Sequence, residues 1–542
     1  MLFRSDGVRE YAFKHSILHQ VTYGTVLKRH RKVLHGKLAD WLAAQSQGGS
    51  ARAGDLLGLT AQHYEEAGDE ANAVEFHARA AEYAAGRLAH AATLAHVQQA
   101  LTLLDRAGDE PSQAPLRWRL LRAREQTLEF QGERERQAVD LDAMDRLAET
   151  LADDSRRSCA ALQWATWAAR MARHAESEQS ARQALAWADS ALASAARGSA
   201  PDCSEDGLHE LRLLSLRGVG WAVLNQGRLG EAQALLEQTL EAARARGLPK
   251  PQINCLNSLG LLAEHRGDPV RMLELQQAAL DLCRQVGNRR LEASALGNVG
   301  LSWMTLGDLA VARRDLEEAL RLSRQTGDRG PECGILLNLS ALALWQDDDA
   351  RALALACSAL DIAVALRQRD FEAVCFLCMA HAQAALGLLA PAAQAYAQSH
   401  RLAQGIGSAY RFDASAGLTR IALARGDISA ASQEANSLVS LAPAKTAAAA
   451  ADGAALAGEA GMADVEACNL DGTDLPRLIE LTLHRVLAAA GDPRAAAWLQ
   501  RAHRTLMAQA DAITDSTLRQ MFLTNIPHHR EIVVLWAAQE TR

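Results

Sequence analysis

The chain has 542 residues and a net charge of −8, so no overall basic excess points to nucleic acid or an anionic membrane. Hydrophobic residues make up 49%, many of them Ala, but aromatic residues only 4%, which suits thin seams between helices and excludes one thick globular core. The nine cysteines are odd in number and lack framework spacing, which suggests reduced thiols and a cytoplasmic chain. No run of about 18 strongly apolar residues predicts a membrane span, and Met1–Asp6 lacks the apolar core of a secretory signal.

Residues 1–46 stand apart from the repeats. Tyr11–His15 alternates apolar and polar residues, and Ser16–Tyr23 and Leu27–Leu42 read as helices. Lys28-Arg29-His30-Arg31-Lys32 is the one dense basic cluster, read here as a solvated helix face. Residues 47–53 are a linker by composition. Residues 54–112 hold the first helical pairs, with Leu57, Ala61, Tyr64, Gly68, Ala73 and Ala80 at repeat spacing. Residues 113–442 continue as a solenoid, interrupted by a small, polar loop at Ala195–Gly207. Residues 443–474 are rich in Ala and Gly and poorly periodic. Residues 475–542 read as a helical hairpin around Gly491-Asp492 with a terminal cap.

The centre of the chain repeats every 40 residues. Gly220, Gly260 and Gly300 occupy one phase, and Gly227, Gly267, Gly307 and Gly387 a second. Leu240, Leu280, Leu320 and Leu360 occupy a third, and Gly247, Gly287, Gly327 and Gly407 a fourth. A fixed period of this length signals stacked supersecondary units. In the clearest unit, Leu296, Val299 and Trp303 share one helix face. Gly307-Asp308 breaks that helix, and Leu309, Ala312, Leu316, Ala319 and Leu320 form a second stripe that stops at Gly327. At Asp347 and Ala380 other residues replace the repeat glycines.

Leu296, Val299, Gly300, Trp303, Gly307, Ala312, Leu316 and Ala319 match the spacing of the tetratricopeptide repeat (TPR), whose usual period is about 34 residues. The resemblance implies an all-α fold, a right-handed TPR-like α-solenoid of helical hairpins. A second resemblance rests on Tyr11, Phe13, His15, Tyr23, Arg29, Arg31, Leu34 and His35, and on Phe522-Leu-Thr-Asn-Ile-Pro527 near the end. These resemble the partial winged-helix segment and C-terminal region of bacterial signal-transduction ATPases, some of them adenylate or guanylate cyclases or transcription regulators. The resemblance implies an AAA ATPase core upstream, because no Gly-x-x-x-x-Gly-Lys-Ser/Thr occurs in this chain.

Motifs for chemistry are sparse. His15 and His19 are four apart but lack the Glu of a zinc-protease motif, so no metal site is assigned. Cys375 and Cys378 sit in an apolar helical stripe and read as buried thiols. His528-His529 reads as an exposed tail feature, and Asp347–Asp349 as a turn too short for calcium. No nucleophile–base set is present, so no catalytic residue, cofactor or enzyme activity is expected. In the TPR family the first helix of each unit lines a concave groove. Carried over residue by residue, that selects Arg217, Trp221, Asn254, Asn257, Glu264 and Met304 as candidate groove contacts. The expected function is a non-catalytic scaffold in bacterial signal transduction, binding a partner protein, peptide or small effector. The alternatives are a C-terminal fragment of an ATP-binding cyclase or regulator, and nucleic-acid binding through the basic helix.

Overall fold

The computed structural model describes residues 2–5, 8–11, 16–46, 53–108, 111–197, 203–441, 465–466, 468–470 and 473–540. It opens on a small antiparallel hairpin, β1 (Leu2–Ser5) and β2 (Val8–Tyr11), with Leu2 opposite Tyr11 and Ser5 opposite Val8. The strand therefore ends where the alternating pattern of Tyr11–His15 begins; residues 12–15 lie outside the described residues, as do most of 443–474 and of the linker at 47–53. Beyond the hairpin the described chain is almost wholly helical.

The chain divides into two compact units. The first comprises Met1–Leu128 with Asp142–Leu151. Its helices α1 (Ser16–Thr25), α2 (Lys28–Ser46), α3 (Ala53–Ala67), α4 (Glu70–Gly86) and α5 (His90–Ala107) are followed by α6 (Ala114–Gln131) and α7 (Arg134–Thr150). From α2 to α5 each helix packs on the next. The Tyr64 hydroxyl donates to Asp40 at 2.9 Å, and its ring lies 5.4 Å from that of Phe76. In the basic cluster, Lys28, Arg29 and Lys32 are exposed. Arg31 turns back, donating through Nε to the Val26 carbonyl at 2.9 Å with its guanidinium 4.8 Å from the centre of the Tyr23 ring.

The second unit comprises Glu129–Leu141 with Ala152–Arg542. Its hairpins run α8 (Asp154–Arg170), α9 (His174–Ala196), α10 (Glu205–Asn225), α11 (Leu229–Ala245), α12 (Pro249–His265), α13 (Pro269–Gln285), α14 (Arg289–Thr305), α15 (Leu309–Thr326), α16 (Arg329–Trp345), α17 (Asp349–Ala365), α18 (Arg369–Ala385), α19 (Leu389–Gly405), α20 (Tyr410–Ala424) and α21 (Ile428–Leu441). The even-numbered first helices also touch one another, as in α8–α10, α10–α12, α14–α16, α16–α18 and α18–α20. They line up in two runs, α8 to α12 and α14 to α20, in the arrangement of a TPR-like all-α solenoid.

Helices of 17 residues, as in α12, α13 and α14, joined by short turns set the 40-residue period. Gly307 adopts φ +83°, a left-handed turn that glycine enters at little cost, and the next residue caps the following helix: Asp308 accepts from the Val311 amide at 3.1 Å. The Gly267-Asp268 and Gly426-Asp427 pairs act in the same way. At Asp347 the same left-handed geometry persists without glycine, at φ +60°. In the hairpins α10–α11 and α14–α15 the seam is closed by a leucine against a glycine. A Cβ at Gly300 would lie 2.7 Å from Leu316 Cγ.

Among the described residues beyond 441, the helices are α22 (Pro476–Ala489), α23 (Arg494–Ala512), α24 (Ser516–Thr524) and α25 (Pro527–Glu540). They reach back to the middle of the second unit. Leu481, Leu499, Leu506, Ile513, Phe522, Ile526 and Ile532 form one buried cluster with Leu306, against which Val270, Leu273, Trp303 and Trp345 pack. The Asn525 amide donates to the Gly307 carbonyl at 3.0 Å. His528 and His529 are thus not an exposed tail: they are 7% and 6% exposed, because α25 turns them into this contact, with His528 against Trp345.

Candidate binding site on the first helices

Helix periodicity places Arg217 and Trp221 one turn apart on α10. It places Asn254, Asn257 and Glu264 along one face of α12. All five side chains are half-buried. The two helices are neighbours, and Arg217 links them: its Nε lies 3.4 Å from the Ser258 hydroxyl. Ser258 in turn donates to the Asn254 carbonyl at 2.9 Å. The Arg217 guanidinium sits 5.2 Å from the centre of the Trp221 ring, a cation–π distance. Burial lowers the pKa of Arg217, and the nearby Arg170 at the end of α8 lowers it further.

Asn257 carries a buried side-chain oxygen with no hydrogen-bond partner. Farther along α12, Glu264 is pushed up to about 7, by burial first and then by the Asp474 carboxylate. Asp474 is held in place from behind: Asp413 on α20, 4% exposed, accepts from the Asp474 and Leu475 amides, both at 3.1 Å. Met304 is placed differently. It is 5% exposed and belongs to the buried cluster of Leu296, Val299 and Leu316.

The face thus brings together Arg217, Trp221, Asn254 and Asn257, with Glu264 at its far end. Repeat phase pointed to none of Arg170, Asp413 and Asp474. Arg170 ends a helix of an irregular unit, and Asp474 arrives from a segment without periodicity. Its approach depends on Asp413, which looks from sequence like any polar residue of an amphipathic helix.

The remaining sequence motifs carry no comparable arrangement. Cys375 is fully buried, and burial pushes the half-buried Cys378 thiol up to about 12, so both are poor nucleophiles at neutral pH. The side chains of His15 and His19 lie outside the described residues. Among the described residues no group of three or more His, Cys, Asp or Glu is placed to hold a metal ion, and no helix is long and apolar enough to cross a membrane.

No protein-family model and no curated protein matches the chain. Among solved structures it is similar to a Rap protein complexed with competence and sporulation factor, at TM-score 0.43 and 13% identity, covering 69% of this chain and 98% of the other. It is similar to a signal-transduction ATPase with numerous domains and a tetratricopeptide-repeat sensor from Pyrococcus horikoshii, at TM-score 0.42 and 14% identity, covering 79% and 65%. It is also similar to yeast Tom70, at TM-score 0.36 and 11% identity, covering 90% and 96%.

Proposed function

We propose that this chain is a non-catalytic interaction module that binds a partner polypeptide on the face formed by α10 and α12. By the resemblance drawn from its sequence, it would serve as the regulatory arm of a bacterial signalling protein. The observation that supports the reading is the Arg217–Trp221 pair, presented half-buried on that face beside two asparagines. Trp and Arg are the residue types that most often dominate binding energy, and partly enclosed positions are where they do so. The basic cluster on α2 supports the nucleic-acid alternative less well, because Arg31 is already engaged by the Val26 carbonyl and the Tyr23 ring.

The test is a titration of a partner captured from lysate by the full chain. Trp221→Ala should weaken binding by about 2 kcal/mol with the fold kept. Arg29→Ala with Arg31→Ala should leave it unchanged. Affinity lost with the arginine pair and kept with Trp221→Ala would move the site to the first unit.

A further inference from the structure

The turns between successive hairpins carry a left-handed glycine at Gly247, Gly287, Gly327 and Gly407. One position of that phase departs from the pattern. Arg367 holds the same geometry at φ +50°, a conformation that strains any residue with a side chain. Backbone strain of this kind persists where the residue does something that glycine cannot. Arg367 reaches out of its turn: its Nη1 donates to the Glu135 carboxylate at 2.6 Å, across 232 positions of sequence.

Glu135 lies in the first turn of α7, and the residues before it meet the same place. Gly132 has no room for a side chain, since a Cβ there would lie 2.0 Å from the Leu366 carbonyl oxygen. Phe130, near the end of α6, packs its ring 4.2 Å from the guanidinium of Arg290 at the start of α14, and Arg290 is held in turn by Asp328 at 2.5 Å. The other side of this stretch is fixed to α8. Trp167 Nε1 donates to the Arg134 carbonyl at 3.1 Å, and Arg170 meets Glu129 at 3.7 Å. The second unit thus loops back on itself, with residues 129–135 bridging α8 to α14 and to the α17–α18 turn.

The closing contact is shallow. Glu135 and Arg367 are both exposed, and an exposed ion pair is weak and screened by salt. Beside it, His174 at the start of α9 lies in the field of Asp370 at the start of α18. Yet the buried His174 Nδ1 and Asp370 Oδ1 have no hydrogen-bond partner among the described residues. Complementary groups that are near but unbonded mark a contact short of a permanent seam.

We propose that the Glu135–Arg367 pair, seated over Gly132, is an electrostatic latch: the second unit opens and recloses at this seam, and the pair sets the balance. Opening uncovers His174 and Asp370. The strained arginine stands at position 367 because glycine would relax the turn but could not reach Glu135.

Two measurements on the full chain test this. Arg367→Lys places an amine against Glu135, so a zero-length carbodiimide should join the two, and mass spectrometry should find the linked peptides. The yield should fall several-fold between about 0.05 and 1 M salt. X-ray scattering gives the second reading. Arg367→Glu should expand the chain relative to wild type, and Glu135→Arg combined with Arg367→Glu should restore the wild-type dimensions. Arg367→Gly separates the latch from the turn. It relieves the backbone strain, so the melting temperature should rise while the chain expands. A higher melting temperature without expansion would make Arg367 a turn residue only and overturn the latch. Absence of the cross-link at every salt concentration would overturn it by removing the contact. A cross-link insensitive to salt, with wild-type dimensions in all the variants, would overturn it in favour of a permanent seam.

Discussion

Gly300 has no room for a side chain. A Cβ there would lie 2.7 Å from Leu316 Cγ and 3.2 Å from the Leu316 amide nitrogen, so the two helices of the hairpin meet at backbone distance. Gly300→Leu should therefore overpack the seam and destabilise the chain by about 1–3 kcal/mol. Gly260 faces Gln276 in the corresponding seam, where a Cβ would collide with its side-chain amide, and Gly260→Leu should behave alike. Wild-type melting temperatures for both would show the repeat phase to be misassigned. Asp413 carries an expectation of another kind. Burial, and next the Asp474 carboxylate, push it up to about 7 from an ordinary 3.8. The folded chain then holds this proton more tightly than the unfolded chain, so the contribution of Asp413 to stability is largest at low pH and falls as pH rises through that window. Asp413→Asn removes the titration while keeping one acceptor for the amides behind it. The stability of the variant relative to wild type should improve steadily from about pH 4 to pH 7 in denaturant titrations. A flat difference across that range would contradict the assignment.

Helices α24 and α25 touch one turn of the repeat array at backbone distance. Gly307 combines φ +83° with a close approach: a Cβ there would lie 2.5 Å from the Met521 carbonyl oxygen. Gly307→Ala should thus do two things, straining the turn by about 1 kcal/mol and pushing α24 away. Gly327→Ala is the control, since Gly327 has φ +70° with nothing within 4 Å of the added carbon. Amide exchange in α24 and α25 should accelerate in the first variant and stay at the wild-type rate in the second. Equal exchange in the two would show that the contact at Gly307 does not hold these helices. The burial of His528 and His529 belongs to the same docking. Burial drives the pKa of both down, that of His529 to about 4. Each contributes stability that is present above the unfolded value near 6.5 and is lost as pH falls below it, because the buried imidazoles must then charge. At element scale the helices themselves were legible from sequence, since apolar residues at i, i+3 and i+4 bounded by Gly-Asp specify a helix and its cap locally. The docking was not, because the contact partners of Phe522 and Asn525 lie more than 200 positions away, at Gly307.

For the whole molecule, the absence of a P-loop and of any nucleophile–base set leads to a direct prediction. The purified chain should neither hydrolyse ATP nor form cyclic nucleotide. Turnover that follows the chain through two columns and is lost on a heat ramp in step with its unfolding would overturn this. The solenoid architecture followed from the amino-acid sequence by itself, because each repeat is determined locally: a left-handed glycine, a capping aspartate, a small residue opposite a large one, recurring at one period. Arg217, Trp221, Asn254 and Asn257 could be placed on a shared face for the same reason, through helix periodicity and repeat phase. What only the tertiary structure decided is which charges on that face have partners. Among the described residues Arg217 has no counterion, Glu264 lies in the field of Asp474, Met304 is sealed into the core, and His528 and His529 are buried. The field at Glu264 and the burial of the histidines depend on a segment distant in sequence arriving beside the repeat. Local pattern specifies where a side chain points along its own helix, but burial and charge pairing are properties of whatever the rest of the chain brings against it.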